Sequence, residues 1–249
     1  MYNCFKNKVA LVTGAAQGIG KEIADQLENC GAIVARMDIQ PSDCAETHYF
    51  QTDVTCLDQV EKSIAEVEAS LGSIDFLVNA AGVLKLGDAL EIGQSDWLGT
   101  FAVNTHGTFY VCRTVARSMV LRKQGAIVLV GSNAAHVPRL GMPAYAASKA
   151  ASEHFLRCLG LEVAEFNVRC NIVSPGSTYT EMQKQCWQNP HDEKNMIEGV
   201  LNKYRLGIPL KRIAQPTDIA RSVLFLLSDD ARHITLESLK VDAGATLGC

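Results

Sequence analysis

The sequence predicts an α/β fold: a doubly wound, parallel, seven-stranded sheet with helices on both faces. Short apolar runs rich in β-branched residues alternate along the chain with longer segments of helical period. The runs are apolar throughout, as expected of parallel strands that crossover helices bury on both faces. The clear candidate strands are 8–14, 32–38, 74–82, 125–132, 168–176 and 238–244, and a weaker one is 47–54.

The helix-like segments lie between these runs, as a doubly wound sheet requires. They cover 18–30, 57–71, 145–165 and 216–228. No internal repeat, low-complexity tract or linker divides the chain, so we expect one domain over 1–249. The polar stretch 178–205 is the one long interruption, between the sixth strand and the last helix. Because long excursions in compact domains are often lids, we expect this stretch to cover a substrate.

The composition argues against several classes of protein. The 249 residues carry a net charge of −4, so no basic surface for nucleic acid is expected. No apolar stretch reaches the length of a membrane span, and the six histidines show no zinc-binding spacing. Nine cysteines without a C-x-x-C pair, and an N-terminus unlike a signal peptide, indicate reduced thiols. We therefore expect a cytoplasmic protein with no metal and with no nucleic-acid or membrane partner.

A glycine-rich turn follows the first predicted strand in VTGAAQGIG, residues 12–20. Gly14, Gly18 and Gly20 would let the backbone approach a pyrophosphate at the amino terminus of the next helix. The spacing G-x-x-x-G-x-G differs from the dinucleotide fingerprint G-x-G-x-x-G. A turn of this kind can also serve close helix–strand packing alone, so the motif needs its context.

Asp38 ends the second predicted strand, 18 residues after Gly20. A carboxylate here would accept hydrogen bonds from the adenosine ribose and repel a 2′-phosphate, which favours NAD over NADP. The alternative is an ordinary solvated aspartate in a turn. Arg36 is on the same side of the strand by alternation, and an arginine there could attract the phosphate instead.

Tyr145 and Lys149 form an i, i+4 pair in AYAASKAA, so they lie on one face if the segment is helical. A phenol with a pKa near ~10 is a poor base at neutral pH, but a neighbouring ammonium favours the phenolate. Ser132 is expected at the carboxyl end of the fifth strand, where ligands of such sheets bind. Alone, this tyrosine and lysine would more often be packing and solvated residues, but the glycine turn, Asp38 and Ser132 favour a catalytic pair.

Taken together, these motifs resemble the short-chain dehydrogenases/reductases, and the resemblance covers essentially the whole chain. It implies a Rossmann-type fold and a catalytic tetrad of Asn104, Ser132, Tyr145 and Lys149. Tyr145 would be the general acid/base, Lys149 would bind the nicotinamide ribose and lower the pKa of the tyrosine, Ser132 would orient the substrate oxygen, and Asn104 would hold a water in a proton relay. Helices around 96–123 and 145–165 would form the dimer contacts of a homotetramer.

The same resemblance implies a set of residues in contact with NAD. NAAG (79–82) would brace the sheet beside the cofactor, SPG (174–176) would contact the nicotinamide end, and Asp53 and Val54 would flank the adenine. The last strand departs from the family pattern, because Leu236 and Ala243 stand where glycine is common. The expected cofactor-binding residues are Gly14, Gln17, Gly18, Ile19, Gly20, Asp38, Asp53, Val54, Asn79, Ala80, Gly82, Tyr145, Lys149, Pro175, Gly176 and Thr178.

A narrower resemblance, over 134–151, 168–183, 206–220 and 233–248, is to the family members that act in catechol siderophore biosynthesis. These oxidise a cyclohexadiene diol carboxylate with NAD, and the product becomes aromatic. The open alternatives are another enzyme of the family, acting on a different diol or a 3-oxoacyl thioester, and a nucleotide-binding sensor without turnover. The intact tetrad argues against the sensor, and Asp38 argues against an NADPH-dependent acyl reductase.

A carboxylate substrate requires a positive or hydrogen-bonding partner in the pocket. Arg139 lies in the loop between Ser132 and Tyr145, and we expect it to bind the carboxylate, although it could equally be an exposed loop arginine with backbone N–H groups in that role. His136 in the same loop is more often a structural hydrogen-bond donor than a substrate contact. Met142 and Met182 would form an apolar wall and Gln183 a polar contact from the lid, but methionines are frequently core filler.

Overall fold

The seven-stranded parallel sheet predicted from the sequence is confirmed. The computed structural model describes residues 3–41, 48–187, 189 and 191–249, so Thr47 of the weakest predicted strand lies outside the described residues. All strand pairs are parallel. The strands are Val9–Thr13 (β1), Ile33–Asp38 (β2), Tyr49–Gln51 (β3), Ile74–Asn79 (β4), Gly125–Val130 (β5), Val168–Pro175 (β6) and Ser238–Val241 (β7).

Most of the helices connect one strand to the next. The helix predicted at 145–165 begins two residues earlier, because Pro143 occupies its first turn, where a missing N–H costs nothing. A π-helical segment, Ala102–Gly107, joins α3 to α4. The α-helices are Gly18–Asn29 (α1), Leu57–Leu71 (α2), Gln94–Phe101 (α3), Thr108–Arg122 (α4), Pro143–Val163 (α5), Glu181–Lys184 (α6), Asp192–Glu198 (α7) and Pro216–Leu227 (α8).

Two apolar layers cover the sheet, which explains why the strands are apolar throughout. Successive side chains of a strand point to opposite faces. In β1, Leu11 packs into the layer built by α2, α4 and α5, whereas its neighbour Val12 packs into the layer built by α1 and α8. Both side chains are fully buried.

The strand order β3-β2-β1-β4-β5-β6-β7 places the first and fourth strands side by side in the middle of the sheet. From β1 the chain proceeds to β2 on one side, and from β4 it proceeds to β5 on the other. Connections that leave in opposite directions open a crevice at the carboxyl ends of the two strands, where ligands of doubly wound sheets bind. Thr13 and Asn79 are register partners at this position.

Leu236 and Ala243 adopt the left-handed conformation that favours glycine, with φ of 65° and 56°. These are the two positions at which the sequence departs from the glycines common in the family. Both residues therefore hold a backbone conformation that suits glycine, at a cost of roughly 1 kcal/mol for each of them. Leu236 also leaves no room for a side chain at Gly160, because a Cβ added there would lie 2.5 Å from a methyl group of Leu236.

Candidate functional site

The loop between β1 and α1 is folded tightly against the end of β4. Gly14 has a φ of +67°, and a Cβ there would lie 2.8 Å from the backbone of Ala81. The first turn of α1 has no side-chain cap from Gln17, so its N–H groups remain available. An uncapped helix terminus behind a loop that folds tightly at Gly14 fits the pyrophosphate of a dinucleotide.

Asp38 ends β2 beside this loop, and its carboxylate orders the loop as well as facing the crevice. One oxygen accepts a hydrogen bond from Ala16 N at 3.0 Å and the other from Gln40 N at 3.0 Å. These two contacts hold the carboxylate beside the glycine loop, at the wall of the cavity.

The guanidinium of Arg36 is already occupied by acidic residues of α1. It lies 2.6 Å from Asp25 and 2.8 Å from Glu28, and the side chain is almost fully buried. Strand alternation suggested that Arg36 could reach a 2′-phosphate beside Asp38. The two ion pairs instead turn its charge toward α1.

Asn79 and Thr13 tie the central strands together just below the crevice. The Thr13 hydroxyl donates to Asn79 Oδ1 at 3.0 Å and accepts from the N–H groups of Ala80 and Ala81, each at 3.1 Å. Asn79 Nδ2 donates to the Thr108 hydroxyl at 2.9 Å. Asn79 is buried and does not line the cavity, and Thr13 fixes the two alanines that border it.

Asn104 lies in the π-helical segment, and both ends of its side-chain amide form hydrogen bonds within the protein. Its Oδ1 accepts from Val83 N at 2.9 Å, and its Nδ2 donates to Val83 O at 3.0 Å and to the Ser148 hydroxyl at 2.9 Å. A Cβ added to Gly82 would lie 3.3 Å from Asn104 Oδ1 and 3.4 Å from Lys149 Nζ. The two side chains therefore meet beside Gly82, although Asn104 itself does not line the cavity.

Ser132, Tyr145 and Lys149 meet at the carboxyl end of β5. The Ser132 hydroxyl accepts from Ala134 N at 3.1 Å and hydrogen-bonds the Tyr145 phenol. Burial raises the pKa of Tyr145, and the bond to Ser132 opposes that shift. This direction is opposite to the lowering expected from Lys149. The lysine ammonium lies over the ring, 6.0 Å from its centroid.

Lys149 is buried with its ammonium directed at the sheet. Its Nζ donates to Val130 O at 2.8 Å. Burial lowers its pKa to about 8, and the negative charge of Glu153 opposes that shift. The ammonium is thus held by a carbonyl oxygen and a more distant carboxylate, and it is close to losing its proton at mildly alkaline pH.

This lowered pKa makes the stability of the protein depend on pH. Between the folded pKa of about 8 and the ordinary value of 10.5, the unfolded chain binds more protons at Lys149 than the folded chain does. The free energy of unfolding should rise with pH across this window, by about 2 to 3 kcal/mol from this group. Urea titrations of wild type and Lys149→Met across the window isolate the effect, and identical pH dependence in both proteins would contradict it.

Glu153 is a buried carboxylate directly behind the catalytic candidates, one helical turn beyond Lys149. Its Oε1 accepts from Ser132 N at 3.2 Å and from the Ser174 hydroxyl at 3.1 Å. Its Oε2 lies 3.0 Å from His136 Nε2 and 3.5 Å from an Arg157 nitrogen. His136 therefore faces this carboxylate, away from the cavity, which matches the structural role weighed for it.

One cavity of about 390 Å³ joins the glycine loop to the tyrosine and lysine. Of the predicted site residues, all but Asn79 and Asn104 line it. At the nucleotide end these are Gly14, Gln17, Gly18, Ile19, Gly20, Asp38, Asp53, Val54, Ala80, Gly82, Pro175, Gly176 and Thr178. At the other end are Ser132, Tyr145, Lys149, Arg139, Met142, Met182 and Gln183.

A family model described as Enoyl-(Acyl carrier protein) reductase matches residues 14–246, nearly the whole chain. The chain belongs to the short-chain dehydrogenase/reductase family. Within this family, a 2,3-dihydro-2,3-dihydroxybenzoate dehydrogenase of Bacillus subtilis (strain 168) is 46% identical over 254 residues, which cover 98% of this chain and 97% of that protein. The enzyme of the same description from Escherichia coli (strain K12) is 43% identical, over 98% of this chain and 99% of its own.

Solved structures of the short-chain dehydrogenase/reductase family have the same fold. A 7α-hydroxysteroid dehydrogenase in complex with NADH and 7-oxo glycochenodeoxycholic acid superposes with a TM-score of 0.88. It is 30% identical and covers 97% of this chain and 95% of its own. The likeness extends from the nucleotide loop to the last strand.

Two site features were not predicted from the sequence. Arg205 lines the cavity from the end of the 178–205 segment, where no spacing or motif singles it out. Glu153 follows the tyrosine and lysine at helical spacing and was open to prediction as part of the same helix face.

In the described part of the chain, no helix is long and apolar enough to cross a membrane. Nor do three or more metal-ligating side chains cluster among those residues.

Proposed function

We propose that this protein catalyses the NAD-dependent oxidation of 2,3-dihydro-2,3-dihydroxybenzoate to 2,3-dihydroxybenzoate in catechol siderophore biosynthesis. The observation that carries the proposal is a single cavity with a dinucleotide loop at one end, and Tyr145 and an arginine at the other. Two relatives with this activity in their names, at 46% and 43% identity over nearly the full chain, support the choice of substrate.

The residues at the nucleotide end fit NAD. The uncapped terminus of α1 would bind the pyrophosphate, and Asp38 would bind the adenosine ribose. Asp53 and Val54, which line the same cavity, would flank the adenine, and Pro175, Gly176 and Thr178 would contact the nicotinamide end. When bound, NAD supplies the hydride acceptor.

Side chains of the protein would accept and transfer the proton of the substrate hydroxyl. Tyr145 Oη takes the proton of the C3 hydroxyl as the hydride leaves C3, and Ser132 holds the same oxygen by a hydrogen bond. Lys149 supplies a positive charge close to the tyrosine ring, and Asn104, which lies near Lys149 beside Gly82, would hold a water in a proton relay. The C3 ketone then tautomerises: the ring proton on C2 leaves, the C3 oxygen gains a proton, and the product becomes aromatic, which drives the reaction forward.

The diol acid would occupy the end of the cavity between β5 and the 178–205 segment. Arg139 would bind its carboxylate, Met142 and Met182 would contact the ring, and Gln183 would provide a polar contact. We also propose that 178–205 acts as a lid, because it contributes Met182, Gln183 and Arg205 to the cavity wall. Residues 188 and 190 of this segment lie outside the described residues.

The test is the absorbance of NADH formed from NAD and the diol acid, followed together with the fluorescence of the aromatic product. Rapid, NAD-dependent turnover with matching product formation is the expected result. Oxidation of other diols, or reduction of a 3-oxoacyl thioester, without activity on this diol would keep the family chemistry and remove the substrate assignment.

Asp38→Ala should weaken NAD binding and reduce the discrimination against NADP. The substitution removes the partner of the ribose hydroxyls and the charge that repels a 2′-phosphate. It also frees the N–H groups of Ala16 and Gln40, so Asp38→Asn is the matched variant that keeps the shape of the side chain. The ratio of kcat/KM for NAD and NADP measures the effect, with the exposed Asp58→Asn as the control. An unchanged ratio in both Asp38 variants would show that the ribose is held elsewhere.

We propose, further, a homotetramer in the cytoplasm. Large apolar side chains on α3, α4 and α5 are exposed in the single chain, including Leu98 at 55% and Leu161 at 68%. Such surfaces are typical of contacts between subunits. The eight described cysteines are free thiols, as expected in a reducing compartment. A monomeric mass by analytical ultracentrifugation would contradict the assembly.

A further inference from the structure

Two arginines meet at the substrate end of the cavity, although 66 residues separate them in sequence. Arg139 lies in the loop before α5, and Arg205 ends the 178–205 segment. Both line the main cavity, and both line a smaller cavity of about 30 Å³ next to it. Asn133 and Ser177 line both cavities too, so the two arginines form part of the wall between them.

Neither guanidinium forms a salt bridge within the described part of the chain, and the acidic groups nearby are already engaged. Asp242, whose charge acts on Arg139, accepts hydrogen bonds from Thr246 Oγ1 at 2.7 Å and Asn133 Nδ2 at 3.3 Å. Glu181 lines the cavity but lies 2.6 Å from Lys184. Asp38 and Asp53, the other acidic residues of the cavity wall, lie at the nucleotide end.

The two guanidinium groups repel each other. Burial lowers the pKa of both arginines, and the charge of Arg205 lowers that of Arg139 further. Two like charges in a partly buried wall are unfavourable until an anion lies between them. The planar fork of a guanidinium matches the two oxygens of a carboxylate, so this pair can hold a carboxylate by paired hydrogen bonds.

Two hydrogen bonds to Val200 fix the backbone of Arg205, whose side chain lines the cavity. Its N–H donates to Val200 O at 3.1 Å and its C=O accepts from Val200 N at 2.9 Å. On the opposite side, the loop that carries Arg139 is anchored by Gly87 N donating to Gly141 O at 3.0 Å. Each arginine thus projects from a hydrogen-bonded turn.

We propose that Arg139 and Arg205 bind the substrate carboxylate together, as a two-arginine clamp that joins the Ser132–Tyr145 loop to the lid. The proposal rests on the proposed function and deepens it, because it assigns a second residue to substrate recognition. A carboxylate held by both arginines would fix the ring relative to Tyr145 and Ser132. It would also place part of the lid in direct contact with the substrate.

The test compares KM for two substrates in matched variants. The substrates are the diol acid and the corresponding cyclohexadiene diol without a carboxylate. Arg205→Met and Arg139→Met should each raise KM for the diol acid about 10- to 100-fold, because each loses a charge-assisted contact. KM for the diol without a carboxylate should stay within about twofold, since no partner is lost. Arg205→Lys should fall between wild type and Arg205→Met, because it keeps the charge without the fork.

Lys203→Met is the control, because it removes a positive charge from the same segment at a residue that does not line either cavity. A KM increase in Lys203→Met equal to that in Arg205→Met would overturn the clamp in favour of a general electrostatic effect. So would an unchanged KM in Arg205→Met, or equal increases for both substrates.

A binding measurement separates failure of the clamp from failure of the proposed function. Titration with 2,3-dihydroxybenzoate and with catechol, followed by ligand fluorescence, needs no turnover. If wild type does not oxidise the diol acid, the proposed function fails, but a preference for the carboxylate ligand that disappears in both arginine variants still supports the clamp. If wild type oxidises the diol acid and the variants bind both ligands like wild type, only the clamp fails.

Discussion

Tyr145→Phe should lower kcat by about 10²- to 10⁴-fold while NAD binding stays close to that of wild type, because the substitution removes only the proton acceptor. The phenylalanine ring fills the same space over Lys149, and the cavity wall is kept. Burial raises the pKa of Tyr145, so turnover by wild type should increase with pH as the phenolate forms. Steady-state oxidation of the diol acid measures kcat, and nicotinamide fluorescence measures NADH binding.

Tyr110→Phe is the matched control, since it removes a tyrosine hydroxyl from α4 outside the cavity. Its kcat should equal that of wild type. Near-normal turnover by Tyr145→Phe would refute the general-base assignment. A large loss of NADH binding in that variant would mean that the phenol acts in nucleotide binding rather than in proton transfer.

Gly20→Ala should abolish measurable NAD binding at concentrations that saturate wild type. A Cβ at this position would lie 2.1 Å from Gly14 O and 2.7 Å from Gly14 C. These are backbone atoms of the nucleotide loop, and Gly14 cannot retreat because it already rests against the backbone of Ala81. The clash must move the loop that faces the pyrophosphate, and overpacking of this kind destabilises by about 1 to 3 kcal/mol.

Gly99→Ala tests whether any added methyl group has this effect. Gly99 is an exposed residue of α3, and a Cβ there meets nothing within 4 Å. Since alanine is the better helix former, this control should bind NADH normally and be more stable by up to about 1 kcal/mol. Fluorescence titration and urea unfolding of both variants provide the two readouts. Normal NADH binding by Gly20→Ala would show that the loop is not held as rigidly as its contacts indicate.

The features that the sequence predicted are those encoded by neighbouring residues. Continuous apolar runs identify buried parallel strands, and a glycine loop after β1 with Asp38 after β2 identifies a dinucleotide edge. The tyrosine and lysine share a helix, so their spacing alone places them together. Each of these patterns reports a local arrangement, and the fold then brings them to one edge of the sheet.

The features that the sequence did not predict depend on distant residues. Arg139 and Arg205 meet only because the long segment after β6 folds back over the loop before α5. The pKa of Tyr145 is raised rather than lowered because burial outweighs the hydrogen bond to Ser132, while the ammonium of Lys149 is directed at Val130 O. Spacing along a helix gives the neighbours of a side chain but not its burial or the direction of a flexible ammonium group.

The two ion pairs between Arg36 and α1 restrict how the cofactor preference of this protein could evolve or be engineered. A change at Asp38 alone removes a repulsive charge but provides no cation for a 2′-phosphate, so it should give an enzyme that is weak with both nucleotides. The required cation is already encoded two residues away, paired with Asp25 and Glu28. A change of preference from NAD to NADP therefore requires two steps. Asp25 and Glu28 on the surface of α1 must first be neutralised to free Arg36, and Asp38 in the ribose pocket must then be replaced.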